Sequence, residues 1–514
     1  MSKHVQNALL AELSEFLSSH MGLHFPKGRR LDLLRGIRSA AKDFGFEDVE
    51  TCIRWLLSSP LKKHQIEILA GHLTVGETYF FREAKMFEAL EKQILPALIN
   101  ARGKTSKRLR IWSAGCCTGE EPYSIAILLN RLIPDLSNWN ILILATDINP
   151  IFLQKAEKGI YGEWSFRGTP LWLREQYFRR TKDNRYEILP RIKRMVKFSY
   201  LNLVEDVYPA FLNDTNAMDI IFCRNVLMYF TTNQMKKVVQ RFHQTLVEDG
   251  WLIVGSSEAS NAYFPQYRAI NFPGAILYKK REKNIEKNKR PIIEFIPQEI
   301  PRPLSEDKIF SAEQISSNFE FSPEFTDNTF PKPVESPAIN PKQDTKTETN
   351  LYKEALELYD KGHYSETEEK ITLHLLERNN DTEAMILLAK TFANQGKLSE
   401  ALEWCEKAIA IDKLKPEFYH LYAAILQEQG QTDRAMEALK RALYLDPNFA
   451  LAHFMLGNLT RQRGKIKESN KYLENAHSLL NIHKKDEILP EADGMTAGRL
   501  IELIQIMRNE GRPA

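Results

Sequence analysis

The sequence has 514 residues, room for two to four domains, and 43% of them are hydrophobic, ample for buried cores. Its 70 basic and 67 acidic residues leave a formal charge of +3, which argues against a general nucleic-acid binder. The five cysteines (Cys52, Cys116, Cys117, Cys223, Cys405) are an odd set without CxxC or metal-type Cys/His spacing. No apolar run reaches membrane-spanning length and the first residues lack a signal-peptide core, so the expectation is a reduced, cytoplasmic protein with no metal and no membrane insertion.

Residues 1–72 predict a helical domain. Leu9, Leu10, Leu13, Phe16 and Leu17 recur at helical spacing, and after Phe25-Pro26 a second helix gathers Leu31, Leu34, Ile37 and Ala41 on one face. The rest of that helix is basic, with Lys27, Arg29, Arg30, Arg35, Arg38 and Lys42, which reads either as a solvated face or as a patch for an acidic partner. The next stretch, Leu73 to Glu83 (LTVGETYFFRE), runs a polar turn into two Phe and an Arg, a dense mix for a connector.

Residues 73–280 alternate strand and helix patterns, the signature of a parallel sheet covered on both faces. The stretch 111–124, IWSAGCCTGEEPYS, reads as a strand, a small-residue loop and a helix start. Gly115 and Gly119 allow the backbone to approach a ligand, and Pro122 suits a first helical turn. Glu120 and Glu121 are expected at the mouth of this loop. They would repel a pyrophosphate but accept hydrogen bonds from ribose or attract a cation, which points to a positively charged nucleoside such as S-adenosylmethionine rather than NAD. Asp147 ends the apolar run 141–147, and Arg224 and Asn225 follow the run 219–223, so all sit where ligands of such sheets bind. A helix over Thr232–Val247 and strands at Trp251–Gly255 and Leu277–Lys280 complete the pattern. An insertion at about 160–202 predicts a hairpin, Tyr177–Arg180 and Arg185–Ile188 around the turn Thr181-Lys182-Asp183-Asn184, with Val196–Tyr200 as a candidate third strand.

Residues 281–347 hold nine of the chain's 24 prolines and no glycine, with alternating charge clusters, and predict a disordered, extended linker. Beyond it Gly362, Gly396, Gly430 and Gly464 stand 34 residues apart, and Ala355, Ala389, Ala423 and Gly457 keep the same register. That period is the tetratricopeptide signature, here four units over 348–483, the first degenerate at Thr367 and His374. Residues 484–514 supply a capping helix, about 495–508, and a tail.

TVGETYFFRE, WSAGCCTGEEPYSIA, ATDINP, Asn202-Leu203 and IFCRNVLMYF, in this order, resemble the bacterial chemotaxis receptor methyltransferases (CheR type), in a version fused to tetratricopeptide repeats. The resemblance spans about residues 5–280 and 348–510. It implies a Rossmann-like, doubly wound α/β methyltransferase with an N-terminal helical domain and a small β-subdomain, followed by an all-α solenoid. It further implies transfer of methyl from S-adenosylmethionine to receptor glutamates, leaving S-adenosylhomocysteine, with a protein partner on the repeats. By the same resemblance Gly76, Thr78, Arg82, Glu121, Asp147, Asn202, Leu203, Arg224 and Asn225 would contact the cofactor. Asp147 would hold the ribose, and Arg82 and Tyr229 would serve the reacting carboxylate. Several relatives have Asn where Gly76 stands. Arg35, Arg38 and Lys42 are the expected receptor contacts. Some relatives add a receptor pentapeptide to the β-subdomain through a longer, glycine-containing turn; the short turn here implies independence from such a tether.

Competing readings fare worse. No Asn-Pro-Pro-Tyr-like segment follows Phe222, as a nucleic-acid methyltransferase would suggest. Asp147 lies 32 residues beyond Gly115, with no GxGxxG, against a dinucleotide enzyme. A catalytically weak S-adenosylmethionine-binding scaffold in a chemosensory-like pathway is the alternative, countered by the joint presence of Arg82, Asp147 and Tyr229.

Overall fold

The computed structural model describes residues 3–260, 262–281, 345–492 and 495–509. The expected linker lies outside the described residues apart from its ends.

The chain opens with α1 (Lys3–Met21), α2 (Arg30–Asp43), α3 (Val49–Leu57) and α4 (Lys63–Leu73). Leu13, Leu17, Leu33, Ile37, Ile53 and Leu69 from these helices share one core. The buried face of α2 is Leu33, Ile37, Ala40 and Ala41, turned from the expected one, and Leu31 is 74% exposed. Asp48 caps α3 by accepting the Thr51 N–H at 2.8 Å.

Helices α5 (Ala84–Ala89) and α6 (Leu95–Gly103) lead into strand β1 (Arg108–Ala114), which is buried along its whole length. Then follow α7 (Glu120–Leu132), β2 (Asn140–Asp147), α8 (Pro150–Lys158), β3 (Ile160–Tyr161), α9 (Leu171–Tyr177), β4 (Phe178–Arg180), β5 (Tyr186–Ile188), α10 (Pro190–Lys193) and β6 (Val196–Tyr200). After β6 come β7 (Met218–Cys223), α11 (Thr232–Thr245), β8 (Leu246–Val254), β9 (Tyr267–Phe272) and β10 (Ala275–Lys280). They build a seven-stranded sheet in the order β6-β2-β1-β7-β8-β10-β9. Strands β6, β2, β1, β7 and β8 pair in parallel, and β10 and β9 close the sheet antiparallel. This is the doubly wound, mostly parallel sheet that the apolar runs predict. The strand order reverses between β1 and β7, where such sheets open a crevice at their carboxyl ends.

Two local expectations are corrected. Val196–Tyr200 does not extend the hairpin. It pairs in parallel with β2, Val196 opposite Ile143 and Tyr200 opposite Asp147, and forms the edge of the main sheet. The third strand of the small sheet is β3, in the order β3-β5-β4. The strand β9 had no sequence signal strong enough to separate it from the loop before β10.

The connector at 73–83 is a structural anchor. Phe80 is fully buried and stacks on Phe166 with centroids 5.0 Å apart, edge-on to Tyr161 and Phe178. Phe81 and Glu83 hold positive φ angles of 54° and 63°, a strained path for non-glycine residues that brings Arg82 between them.

The repeats form α12 (Thr345–Asp360), α13 (Tyr364–Glu377), α14 (Thr382–Asn394), α15 (Leu398–Ile411), α16 (Pro416–Glu428), α17 (Thr432–Leu445), α18 (Ala450–Gln462) and α19 (Ile466–Leu480), with α20 (Ala497–Asn509) after them. Ala355, Ala389, Ala423 and Leu456 fill one continuous core, the small residues letting paired helices approach. The repeats are not held apart from the sheet domain. Arg108, Asn140 and Asn216 all bond Glu428 of α16. No helix among the described residues is long and apolar enough to cross a membrane.

Candidate active site

At the carboxyl end of the sheet, β1, β2, β6 and β7 each release a loop into one cavity of about 980 Å³, counting its mouth. Its wall includes Gly115 and Cys117 after β1, Asp147 and Ile148 after β2, Leu201 to Leu203 after β6, and Arg224 to Val226 after β7. Met21 and Leu23 from the end of α1, and Leu73 from α4, face the same space, so the helical domain contributes a side that the sequence did not announce. Gly115 has φ of +85°, and a Cβ there would come within 2.4 Å of Val226, so the loop path requires glycine.

Asp147 is 8% exposed. One carboxylate oxygen accepts the Cys117 N–H at 2.8 Å and the other the Asn149 N–H at 2.9 Å. Each oxygen keeps a lone pair for a hydroxyl. Burial pushes the Asp147 pKa up to about 6, against the lowering by those backbone donors. Asn149 itself caps α8 through the Ile151 N–H at 2.9 Å and donates to Thr74 Oγ1 at 2.9 Å, tying the cavity floor to the helical domain.

Glu121 lines the cavity, held by Ser113 Oγ at 2.7 Å and by Arg224 Nη1 at 3.0 Å. Glu120 does not share the mouth as expected. It is buried, accepts from Thr118 Oγ1 at 2.6 Å and Ser165 Oγ at 2.9 Å, and burial raises its pKa. Neighbouring positions of a helix point about 100° apart, so only one of two adjacent acids can face the ligand side.

Arg224 is a hub. Besides Glu121, its Nη2 donates to the Arg82 carbonyl at 2.7 Å and lies 3.4 Å from Glu83. Arg82 lines the cavity, and its Nη1 donates to the Glu77 carbonyl at 2.5 Å. Thr78 and Tyr229 line it too. Arg29 lies over the Tyr229 ring at 5.2 Å, which brings the basic segment before α2 to the cavity's edge. Asn225 (φ 58°) is held by Glu258, which accepts its N–H at 2.6 Å, and its Oδ1 is buried without a hydrogen-bond partner among the described residues. Glu258, which also takes the Gly255 and Met228 N–H groups, went unnoticed in the sequence; the only signal was an acid shortly after an apolar run. Cys117 shares the wall, but burial and nearby carboxylates push its pKa up to about 12, so it offers no thiolate.

The structure thus brings together Thr78, Arg82, Glu121, Asp147, Asn202, Leu203, Arg224, Asn225 and Tyr229. Asn202 presents little free amide, since its Nδ2 donates to the His20 carbonyl at 2.8 Å. Gly76 is not part of the cavity wall. A Cβ there would meet the Phe152 ring at 2.6 Å, so that ring fills the space a larger side chain would need. Arg35, Arg38 and Lys42 are exposed on α2 and do not line the cavity; Arg35 lies 3.5 Å from Asp32.

The profile of the CheR methyltransferase SAM-binding domain matches residues 76–271, and tetratricopeptide repeat profiles match 352–416, 404–437 and 424–464. A chemotaxis protein methyltransferase of Borreliella burgdorferi is 33% identical over 251 residues, covering 48% of this chain and 87% of that protein. The chain belongs to the CheR methyltransferase family. Chemotaxis protein methyltransferase 2 of Vibrio cholerae is 34% identical over 219 residues, covering 43% of this chain and 74% of that one. A thermophilic tetratricopeptide protein of Thermus thermophilus is a structural neighbour at 22% identity and a TM-score of 0.26, covering 32% of this chain and 84% of that one.

The residues present fit the CheR cofactor class. The carboxylates Asp147 and Glu121, with Glu77 at a more exposed position, line a cavity whose remaining wall is largely apolar, and Arg224 is already paired with acids. Such a wall suits a neutral base, a diol and a positive centre, and it disfavours a pyrophosphate.

Proposed function

We propose that this CheR-family enzyme methylates glutamate side chains on the cytoplasmic helices of methyl-accepting chemotaxis-type receptors, with S-adenosylmethionine as donor. The observation that supports it best is the convergence of Asp147 and Glu121 with Arg82 and Tyr229 around one cavity. When bound, the donor supplies an activated methyl group on a sulfonium. Asp147 accepts from the ribose hydroxyls, Glu121 faces the positive end, and Asn225 lines the wall beside them. Thr78, Leu203 and the Asn202 backbone complete the binding wall.

The acceptor needs no general base, because a glutamate with a reference pKa of about 4.3 is ionised at neutral pH. What the protein supplies is alignment, with reacting atoms roughly 3–3.5 Å apart. Arg82 attracts and orients the carboxylate, and the Tyr229 hydroxyl fixes its rotation. Glu77 and Arg224 position Arg82, one through each end of the residue. Arg35, Arg38 and Lys42 draw the acidic receptor helix by long-range attraction, and the repeats recruit a protein partner to the enzyme. On this reading the protein works in the cytoplasm.

The test is transfer of radiolabelled methyl from S-adenosylmethionine to membranes carrying candidate receptors. Label released as methanol by mild base is expected, as for a methyl ester. Base-stable label, or none with any receptor, would remove the glutamate assignment.

A further inference from the structure

The segment between β6 and β7 serves both halves of the molecule. Its start, Leu201 to Leu203, lines the cavity, and the residues after β7, Arg224 and Asn225, line it again. Between them, Phe211 and Leu212 leave the sheet domain and pack, half-buried, against the core of the repeats. They sit in the groove formed by the first helices of successive repeats, α14, α16 and α18, beside Leu421, Ala424, Phe454 and Met455. That is the face on which repeat solenoids bind their partners.

The contact is specific. Glu428, at the end of α16, is buried against the sheet domain, accepting from Arg108 Nη2 at 2.8 Å and from Asn216 Nδ2, and lying 3.9 Å from Arg110. The start of the segment is held as well. Arg499 of α20 donates to the Tyr200 carbonyl at 3.0 Å, with its guanidinium 4.9 Å from the Tyr200 ring centroid. Glu502 lies 2.9 Å from Lys63 of α4. Inside the segment, the Tyr208 hydroxyl donates to the Leu203 carbonyl at 2.8 Å, and its ring packs in the sheet-domain core on Trp112 and Phe242, three residues before Phe211.

We propose that the groove of the repeats is a binding surface occupied in cis by the Phe211-Leu212 segment, and that this clamp holds the β6–β7 wall of the cavity in its binding shape. A protein that enters the groove must expel Phe211 and Leu212, and so loosens the cavity. By reciprocity, a filled cavity opposes entry to the groove. The inference rests on the reading of the cavity as the nucleoside site, and it turns the repeats from a passive tether into a control on that site.

The experiment uses the full chain. Titration calorimetry with S-adenosylhomocysteine compares the wild type with F211A/L212A and, on the repeat side, with E428Q; thermal melting checks that each remains folded. At least about fivefold weaker binding is expected in the folded variants, the lower range of allosteric coupling. Hydrogen exchange on the unmutated protein gives a second reading, with S-adenosylhomocysteine expected to slow exchange in α16 and α18. A third arm uses a fluorescent peptide of residues 206–215, expected to bind F211A/L212A at least about fivefold more tightly than the wild type, whose groove is filled. Wild-type cofactor affinity in folded variants, or unchanged exchange in the repeats, overturns the coupling; equal peptide binding overturns the cis occupancy. If the wild type itself does not bind S-adenosylhomocysteine, the reading of the cavity fails, and the peptide arm still decides the groove.

Discussion

Asp147 is where burial and binding meet in one side chain. Its folded pKa of about 6 lies above the ordinary carboxylate range because burial disfavours the charge. If the ionised form accepts the ribose hydroxyls, binding should prefer it, and a bound ligand should draw the pKa back down. The sign follows. Affinity for S-adenosylhomocysteine should be flat above pH 7 and fall below pH 6, approaching about tenfold per unit. Asp147→Asn should bind roughly 1–3 kcal/mol more weakly at pH 7.5 and lose that acid limb. Calorimetry from pH 5 to 8 reads both, and a wild type with no acid limb would take Asp147 out of the site. Arg82 and Tyr229 should behave differently. Arg82→Ala keeps the backbone carbonyl that Arg224 holds, so the wall survives while the guanidinium is lost. Arg82→Ala and Tyr229→Phe should lower the single-turnover rate by about 10–100-fold, with cofactor affinity little changed. Equal losses in rate and cofactor affinity would make both residues binding groups.

At the scale of elements, the helix α2 is the expected docking face. Its buried side carries Leu33, Ile37, Ala40 and Ala41, which leaves Arg35, Arg38 and Lys42 in solvent. The small sheet offers a tight turn, closed by the Thr181 N–H to the Arg185 carbonyl at 2.8 Å, with Asn184 at φ 59°. Reversing Arg35 and Arg38 to Glu should therefore raise KM for receptor membranes about 5–150-fold, equivalent to roughly 1–3 kcal/mol, two exposed pairs turned from attraction to repulsion. The effect should shrink as salt rises towards 1 M. Receptor tails with and without a terminal pentapeptide should titrate alike, and tight pentapeptide binding that ignores the charge reversal would move recognition to the hairpin. These same elements mark what the sequence could tell. The strand-loop-helix at 111–124 and the period of 34 were legible because each is a local pattern with a physical cause. The destination of Val196–Tyr200 was not, since an alternating strand does not name the sheet it joins. Nor could adjacency separate Glu121 from Glu120, or show that Met21 and Leu23 would meet the loops of a distant sheet.

At the scale of the molecule, the joint between sheet domain and repeats depends on pairs such as Arg108 and Glu428, 320 residues apart, which no local pattern predicts. Their side chains are only 6% and 7% exposed. Burial disfavours the charge on Arg108 and the Glu428 carboxylate opposes that, so the partner offsets the cost of holding a guanidinium in the joint. Glu428→Ala would leave that cation, and the Asn216 amide, buried without their acceptor. The expected cost is about 3–5 kcal/mol, the range for breaking a buried pair from one side. Chemical unfolding of the full chain reads this as a lower midpoint, or as separation of one transition into two if the joint fails before the domains do. Replacing both partners at once, Arg108→Met with Glu428→Leu, removes the stranded charge and should recover most of the loss, because well-packed apolar residues substitute for buried ion pairs at little cost. The recovery should be incomplete, since Asn216 still lacks an acceptor and Arg110 keeps its charge beside the joint. A Glu428→Ala protein within about 0.5 kcal/mol of wild type would mean that the pair is solvated and the repeats stand free of the sheet domain.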